Sequence, residues 1–285
     1  MKTLIVGANG QLGRCLQACA PTSVTLVAHD IDTLDITDAV QVAALIAEER
    51  PELVINAAAY TAVDKAESDE ALAHAINSSA VAHLAAAALA IGARLAHVST
   101  DFVFDGKTST PYLPDAVPCP INAYGRTKLG GEHAAGPEAL IVRTAWVYAP
   151  SGHNFVRTML RLMAQQPEIR VVSDQIGTPT YAPGLAAAIW SLTEKRVKGI
   201  YHYTDSGVAS WYDFAVAIRE EALAFGLLDA PADVSPITTA EYPTPARRPS
   251  YSVLDKTSTI AALGEPMRHW RVQLRKMIEE IKTHG

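Results

Sequence analysis

Two residues in the segment NAYGRTKLGGE, Tyr124 and Lys128, carry side chains suited to reductive chemistry. If the segment is helical, their spacing of four places both side chains on one face of the helix. A free tyrosine has a pKa of about 10, and a nearby ammonium group favours the phenolate and lowers that pKa. The pair therefore suits a general acid that protonates the alkoxide formed when hydride adds to a ketone. Chance also supplies such pairs, so this interpretation needs support from elsewhere in the chain.

A hydroxyl group that could hold the ketone oxygen follows the apolar segment ARLAHVS. Thr100 and Asp101 stand at its carboxyl end, where ligands bind in parallel α/β sheets. A threonine hydroxyl there can hydrogen-bond a substrate oxygen. Alone, Thr100 is better explained as a strand-end residue in a local turn. The Tyr–Lys pair and the glycines described next make the catalytic interpretation the stronger one.

Three glycines follow the first predicted strand, TLIV, within the segment GANGQLG. Gly7, Gly10 and Gly13 have the spacing of a dinucleotide-binding turn, where glycines permit a tight bend, close approach to a pyrophosphate and close packing of helix on strand. The helix that begins there supplies N–H groups and a positive partial charge. A merely structural turn is the alternative, but the position directly after an apolar strand favours cofactor binding.

Two residues near this turn bear on the choice between NADH and NADPH. Asp30 ends the second predicted strand, and a carboxylate there accepts hydrogen bonds from the adenosine ribose of NAD. Arg14 follows Gly13 directly and can instead attract the 2′-phosphate of NADP. The preferred cofactor therefore stays open.

Short apolar runs alternate with helical patterns through the first half of the chain. The runs lack polar alternation, which is typical of strands buried on both faces; they are TLIV, VTLVAH, ELVINAAA, ARLAHVST and ALIVRT. TDAVQVAALIAEER and SDEALAHAINSSAVAHLAAAALAIG lie between them and show helical spacing behind capping residues. This rhythm predicts right-handed βαβ units and an α/β fold with a Rossmann-like, doubly wound parallel sheet.

The pattern changes after about residue 150, where proline-rich intervals separate three predicted helices, HNFVRTMLRLMAQQ, SWYDFAVAIREEALAFG and RHWRVQLRKMIEEIKTHG. We therefore expect a Rossmann domain over residues 1–150 and a smaller, mixed α/β substrate-binding lobe over residues 151–285. The boundary is expected to be discontinuous. Such a lobe would lie beyond the carboxyl ends of the strands and cover the substrate.

The composition narrows the class of protein. The 285 residues are 49% hydrophobic and 19% charged, which is typical of a globular enzyme. A net charge of −6 argues against binding to nucleic acid or an anionic membrane, although local cations could still hold a small anionic substrate. Cys15, Cys19 and Cys119 form no paired framework, and the apolar runs are too short for a signal peptide or a membrane span. We expect a cytoplasmic protein.

The motifs resemble those of the extended short-chain dehydrogenase/reductases, and among them the dTDP-4-dehydrorhamnose reductase family. The resemblance covers nearly the whole chain and rests on GANGQLG, NAAAYTAVDKAES, STDFVFDG, NAYGRTKLGGE, RTAWVYAPSGHNFVRTMLRL, DQIGTPTYA and YPTPARRPSYSVLD. The later segments are more specific than the glycine turn. The resemblance implies that hydride from NADPH or NADH reduces the 4-keto group of dTDP-4-dehydro-L-rhamnose to give dTDP-L-rhamnose.

The resemblance also implies roles for individual residues. Tyr124 would donate the proton, Lys128 would hold the nicotinamide ribose and tune Tyr124, and Thr100 would take a serine-like role. Asp101 would lie beside Thr100 at the sugar, and Trp146 would contact the sugar nucleotide, although bulky apolar residues are usually in the core. The cofactor-binding residues would be Gly7, Gly10, Gln11, Leu12, Gly13, Asp30, Asp35, Ile36, Ala59, Tyr60, Thr61, Val98, Tyr124 and Lys128.

Two groups of residues stay unassigned. At least one of Arg247 and Arg248 is expected to reach the diphosphate, since a bidentate cation suits that group, but the sequence does not select between them. Some members of the family dimerise through carboxylates that hold magnesium. Glu279 and Glu280 could play that part, but they equally fit helix-surface acids, so no metal is assigned. We expect a nucleotide-sugar substrate and a monomer or homodimer.

Other functions of the same fold are alternatives. A 4,6-dehydratase typically carries an Asp-Glu pair after the threonine, whereas Asp101 is followed here by Phe102. A sugar-nucleotide epimerase needs little beyond the same tyrosine and lysine. A non-catalytic, dinucleotide-binding regulatory subunit resembling that of methionine adenosyltransferase keeps much of the motif set, but Thr100, Tyr124 and Lys128 are all intact here.

Overall fold

The computed structural model describes residues 1–284. Its strands are β1 Lys2–Val6, β2 Thr25–His29, β3 Leu53–Asn56, β4 Arg94–Thr100, β5 Leu140–Thr144, β6 Val147–Tyr148, β7 Glu168–Val172, β8 Ile176–Gly177, β9 Thr180–Tyr181, β10 Gly199–His202, β11 Ala209–Ser210 and β12 Asp233–Ile237. A six-stranded sheet has the order β2-β1-β3-β4-β5-β10, and each neighbouring pair in it is parallel. The predicted Rossmann-like parallel sheet is confirmed.

Helices connect these strands and cover both faces of the sheet. They are α1 Gln11–Ala18, α2 Ala39–Glu49, α3 Val63–Ala66, α4 Glu70–His74, α5 Ala80–Ala90, α6 Ala123–Ala135, α7 Phe155–Gln165, α8 Ala182–Glu194, α9 Trp211–Ala224, α10 Thr257–Leu263 and α11 Trp270–His284. Asp38 caps α2 by accepting from the backbone N–H groups of Val40 and Gln41, and Ser210 caps α9 in a capping box. Both caps stand where the sequence predicted a helix start.

The central strands are buried because helices pack on each face of the sheet. In β1, Leu4 and Val6 pack in one apolar cluster with Ile46 of α2, while Ile5 packs in another with Leu16 of α1. Successive strand residues point to opposite faces, so an uninterrupted apolar run satisfies both clusters at once.

The segment Glu70–Ala90 is one long helical stretch in which a π-helical turn, Ala75–Ser79, joins α4 to α5. By length and composition alone it could cross a membrane, which corrects the expectation that every apolar run is too short. Val81 and Leu84 are fully buried in the cluster beneath the sheet. The segment is therefore packed as a core helix of this fold.

The later half of the chain contributes to two regions. α7, α9 and α11 surround an apolar cluster that includes Phe214, Trp270 and Met277, and β7 pairs with β12 beside it. In contrast, α8 returns to the sheet layer, where the indole N–H of Trp190 donates to Leu16 O of α1 at 2.9 Å. The sixth sheet strand, β10, also follows residue 150. The division of the chain at residue 150 stays a prediction.

The strand order creates a crevice at the carboxyl edge of the sheet. From β1 the chain passes first to β2 on one side and then to β3 on the other side. The loops that leave β1 and β3 therefore diverge, which is where ligands bind in open α/β sheets. Gly7 begins the loop after β1 with φ +78°, and a Cβ atom there would lie 2.5 Å from the backbone N of Ala58.

Helix α6 lies unusually close to its neighbours because glycines face them. A Cβ atom at Gly125 would lie 2.2 Å from Phe102 O, and one at Gly131 would lie 2.1 Å from Asn77 O. Both contacts are with backbone, which cannot rotate away. The position of α6 against the end of β4 and against the π-helical turn therefore depends on these glycines.

The adjacent glycines of α6 provide a stability test. Gly131→Ala should destabilise the protein by about 1–3 kcal/mol, because the new methyl group meets a backbone carbonyl. Gly130→Ala is the matched control, since its Cβ would lie 2.7 Å from the Ser78 hydroxyl, which can rotate, and 3.1 Å from Ser78 Cβ, a milder clash than that with a backbone carbonyl. In the control, the higher helix propensity of alanine should stabilise the protein by up to about 1 kcal/mol, which offsets the cost of the clash. Urea unfolding measures both free energies, and equal losses would contradict the close packing at Gly131.

Candidate active site

A cleft of about 1030 Å³ lies at the carboxyl edge of the sheet, bordered by the ends of β1 to β5 and the start of α6. This volume is at the upper end of the range for small-molecule sites, as expected for an extended ligand. Most of the predicted site residues line it, namely Gly7, Gly10, Gln11, Leu12, Asp30, Ile36, Ala59, Thr61, Val98, Thr100, Asp101, Tyr124, Lys128 and Trp146. The fold therefore brings residues from distant segments into one cavity.

Three predicted cofactor-binding residues do not line the cleft. Gly13 lies behind the glycine turn, where a Cβ atom would come within 2.1 Å of Gly7 O. The Asp35 carboxylate accepts hydrogen bonds from the backbone N and hydroxyl of Thr37, at 2.9 and 2.7 Å. Tyr60 packs beside Tyr124 in a small apolar cluster. These three residues lie behind the cleft surface and support the residues that line it.

The glycine turn fits the pyrophosphate of a dinucleotide. Gly10 stands at the N-cap of α1 without a side-chain cap, and the first turn of α1 contains no acidic residue. A Cβ atom at Gly10 would meet only Gly7 O, at 3.3 Å, and its other surroundings are open. The N-terminal N–H groups of α1 and their partial positive charge are therefore available to an anion in the cleft.

Asp30 and Arg14 flank the place expected for the adenosine. The Asp30 carboxylate accepts from the backbone N–H groups of Asn9 and Ile31, both at 2.8 Å. These bonds hold the carboxylate at the cleft wall. The exposed Arg14 donates through Nε to Asn9 O at 2.8 Å and does not line the cleft. The two side chains are thus joined through one loop residue.

Thr100, Asp101 and Tyr124 meet where β4 ends and α6 begins. The Thr100 hydroxyl donates to Asp101 Oδ1 at 3.0 Å and accepts from Phe102 N at 3.2 Å. Burial raises the pKa of Asp101 to about 6, against hydrogen bonds from Ser252 and Thr100. The threonine hydroxyl is therefore held in place at the strand end beside the tyrosine.

Burial raises the pKa of Tyr124 to about 12, although a hydrogen bond with Thr100 opposes this rise. The expectation that the pKa of Tyr124 lies below its ordinary value is wrong, because desolvation of the phenol dominates. Lys128 Nζ instead donates to Val98 O at 2.6 Å and lies 3.5 Å from His97 Nε2. Tyr124 is therefore protonated at neutral pH and can act as a proton donor.

Lys128 is itself fully buried, at 2% exposure. Burial lowers its pKa to about 8, and the carboxylate of Glu132 opposes this shift. A lysine with such a pKa still carries its charge in most molecules at neutral pH. Its ammonium group is held at the cleft wall by the Val98 carbonyl.

Trp146 occupies an unusual backbone position at the cleft wall. Its φ of +47° is rare for a bulky residue, and its ring stacks on that of Trp211 with centroids 3.6 Å apart. Both rings line the cleft, and a Cβ atom at Gly177 would lie 2.8 Å from the Trp146 ring. Trp211 was not identified from the sequence, because its pairing with Trp146 spans distant segments.

Arg248 faces the cleft, whereas Arg247 is exposed outside it. The Arg248 guanidinium forms a bidentate ion pair with Asp64, at 3.0 and 2.8 Å, and holds the pKa of that carboxyl below its usual range. Asp64 also accepts from Ala246 N at 3.2 Å. The pair ties the α3 region to the loop that follows β12 and positions one arginine at the cleft.

The two carboxylates of α11 have different surroundings. Glu280 Oε2 accepts a hydrogen bond from the Tyr181 hydroxyl at 2.6 Å, and Glu279 is exposed. Within residues 1–284, no group of three or more His, Cys, Asp or Glu side chains could hold a metal ion.

Comparison with known proteins identifies the family. The model for the RmlD substrate binding domain matches residues 1–283. The chain is 40% identical to the dTDP-4-dehydrorhamnose reductase of Aggregatibacter actinomycetemcomitans, over 97% of this chain and 98% of that protein. It is 44% identical to a probable dTDP-4,6-dihydroxy-2-methyloxan-3-one 4-ketoreductase of Streptomyces antibioticus, over 99% and 96%.

A solved structure agrees with these relatives. The dTDP-4-dehydrorhamnose reductase of Bacillus anthracis in complex with NADP superimposes with a TM-score of 0.92 and 37% identity, over 98% of this chain and 99% of that one. The resemblance inferred from the motifs is therefore confirmed, and the chain belongs to the RmlD family, which includes the dTDP-4-dehydrorhamnose reductases.

Proposed function

We propose that this NAD(P)-dependent oxidoreductase reduces the 4-keto group of dTDP-4-dehydro-L-rhamnose to dTDP-L-rhamnose, with Tyr124 as the proton donor. The bound dinucleotide supplies the hydride. The observation that supports this best is that Thr100, Tyr124 and Lys128 line the same cleft as an uncapped, glycine-lined helix start. Membership of the RmlD family points to the same reaction.

Tyr124 and Thr100 act on the ketone oxygen in this proposal. The Thr100 hydroxyl accepts from Phe102 N and donates to Asp101 Oδ1 in the free site, and it positions the ketone oxygen by turning its single O–H from Asp101 to that oxygen. As negative charge develops there, the Tyr124 hydroxyl donates its proton, since an alkoxide is a far stronger base than a phenolate. Burial keeps Tyr124 protonated until that moment.

Lys128 binds a ribose hydroxyl and stabilises the phenolate left on Tyr124. Its ammonium group has three N–H donors, one of which is used by Val98 O. The cation also lies on the same helix face as the phenolate that forms, so its attraction grows during proton transfer. Lys128 thus stabilises the transition state more than it stabilises the site before the reaction.

Arg248 and the two tryptophans are assigned to the sugar nucleotide. Arg248 faces the cleft and suits the diphosphate, whereas Arg247 does not line it. The stacked rings of Trp146 and Trp211 offer a broad apolar wall for the sugar and base. A neighbouring substrate is the second candidate, because the 44% identical relative is named as a 4-ketoreductase of a different dTDP sugar.

Further proposals concern organisation and cellular context. We place the cofactor lobe at residues 1–150, joined by α8 and β10, and the substrate lobe in the rest of residues 151–285. We also propose a cytoplasmic enzyme that acts as a monomer or homodimer on a nucleotide sugar, without nucleic acid or membrane. The unpaired thiols of Cys15, Cys19 and Cys119 suit a reducing compartment.

Turnover by the purified protein tests the proposed reaction. With dTDP-4-dehydro-L-rhamnose, the absorbance of NADPH or NADH should fall at a rate proportional to enzyme. Tyr124→Phe should lower kcat by about 10²–10⁴-fold, the usual contribution of a positioned acid, with little change in cofactor affinity. Tyr201→Phe removes a hydroxyl from β10, away from the cleft, and should retain activity. Absence of turnover by folded, cofactor-binding wild type would reject the proposal in favour of an epimerase or a regulatory subunit.

The role of Asp30 is tested by cofactor preference. Asp30→Ser should weaken NADH binding about tenfold, because a charged acceptor for the ribose hydroxyls is lost. The affinity for NADPH should fall less, since the variant also removes a carboxylate that repels the 2′-phosphate of NADPH. Fluorescence titration of each cofactor gives both dissociation constants. The exposed neighbour Asp32 is the matched control, and equal losses for NADH and NADPH in Asp30→Ser would refute the assignment.

A further inference from the structure

Helix α6 has a third titratable side chain on the face that carries Tyr124 and Lys128. Glu132 follows Lys128 at the same spacing of four, so the three side chains form one stripe along the helix. Glu132 does not line the cleft, and the proposed function gives it no part. It is nevertheless buried, with only 5% of its surface exposed. A glutamate is rarely buried to this extent unless it has a charged or hydrogen-bonding partner.

Two strands hold the Glu132 carboxylate from the side of the sheet. Arg143 of β5 donates through Nε to Oε1 at 2.8 Å and through Nη2 to Oε2 at 2.7 Å. The Ser99 hydroxyl of β4 donates to Oε1 at 2.5 Å. Arg143 also donates to Pro114 O, in the segment between β4 and α6, at 3.1 Å. The carboxylate therefore joins α6 to two strands. Arg143 extends this link to the segment that precedes α6.

This cluster is poorly explained by stability alone. The side chains of Arg143 and Glu132 are only 1% and 3% exposed. Removing two charges from water costs free energy that their attraction often fails to recover, and apolar residues in their place are often as stable. Ser99 lines the cleft and contacts Glu132 directly, so the cluster reaches the site itself.

Several charged and titratable groups surround Lys128, on β4, on α6 and behind α6. On β4, His97 faces Nζ; on α6, Tyr124 precedes the lysine and Glu132 follows it, with Asp101 beyond Tyr124 and Arg143 behind Glu132.

The tautomer of His97 follows from its neighbour. Asn56 Oδ1 accepts from Ala58 N, so the Asn56 amide N–H points at His97 Nδ1, 3.1 Å away. A neutral His97 then carries its proton on Nε2, which faces the lysine. His97 thus opposes the charge on Lys128, and Glu132 supports it.

We propose that Glu132, held by Arg143 and Ser99, is a positioning residue that keeps Lys128 charged and aligned with Tyr124 during the reaction. This inference rests on the proposed function, in which Lys128 must be a cation. It assigns a purpose to a buried ion pair that does not line the cleft.

The sign of the expected pH effect follows from the surroundings of Lys128. Burial brings the pKa of Lys128 down to about 8, and Glu132 holds it above the value that burial alone would give. Without the Glu132 charge, the lysine loses its proton at a lower pH. Activity that requires the cation should then decline at lower pH, so the alkaline limb of the profile moves down.

Glu132→Gln tests this inference in the full-length enzyme. The alkaline limb of kcat should move down by about one pH unit, the size expected when an opposite charge one helical turn away is lost. kcat should change more than KM, because Lys128 acts on the transition state. Glu70→Gln is the matched control: Glu70 also forms a bidentate pair with an arginine of α6, Arg126, but at the exposed surface. Its profile should stay unchanged.

A second readout does not depend on turnover. In cofactor-free protein labelled at lysine Cε, the NMR titration of Lys128 should show the same downward shift in Glu132→Gln. Glu132→Gln leaves Arg143 as a buried lone cation that would itself lower the pKa of Lys128. Glu132→Gln/Arg143→Met removes both charges and should give a smaller shift in the same direction, because Glu132, and not Arg143, acts on the pKa of Lys128 in the wild type. Circular dichroism shows whether each variant is folded.

The outcomes separate this inference from the proposed function. Wild type without turnover would reject the function. Wild type with turnover, and a folded single or double variant whose kcat limb and Lys128 titration are both unmoved, would show that Glu132 is only structural and would overturn the inference.

Discussion

The active site depends on how closely one face of α6 packs against the end of β4. Gly125 and Gly131 allow helix backbone to lie against backbone, because any side chain at either position would overlap a carbonyl oxygen. The side chain of Asn122 begins the helix by accepting from Gly125 N at 2.7 Å, and it donates to Arg247 O at 2.7 Å. The same cap therefore fixes the catalytic helix and the loop that brings Arg248 to the cleft.

Burial then determines the protonation states that the chemistry needs. It raises the pKa of Tyr124 to about 12 and lowers that of Lys128 to about 8, so desolvation favours the neutral form of each. The tyrosine is thereby kept as an acid. The carboxylate of Glu132 opposes part of this desolvation at Lys128, so a residue near the end of α6 bears on the charge of a residue near its start.

The parts of the fold that follow local patterns were predictable from the sequence. Unbroken apolar runs indicated the buried parallel strands, and Gly7, Gly10 and the i to i+4 spacing of Tyr124 and Lys128 indicated two walls of one cleft. The stacking of Trp211 on Trp146, and the selection of Arg248 over Arg247, depend on contacts between distant segments that leave no local signal. The direction of the Tyr124 pKa shift was missed for the same reason, since burial is a property of the whole fold. Glu132 is intermediate, because its spacing is visible in the sequence but its partner Arg143 is not.

The most direct test of the proposed reductase uses NADPH that carries deuterium at the transferred C4 position. After reaction of the wild type with dTDP-4-dehydro-L-rhamnose, NMR of the product should show one deuteron at C4 of the sugar. At the same reaction time, Tyr124→Phe should give little or none of this signal. Deuterium at C4 of the sugar requires hydride transfer from the cofactor, and its loss in Tyr124→Phe assigns the proton donor. A sugar recovered with its ketone intact, or epimerised without deuterium at C4, would contradict the assignment.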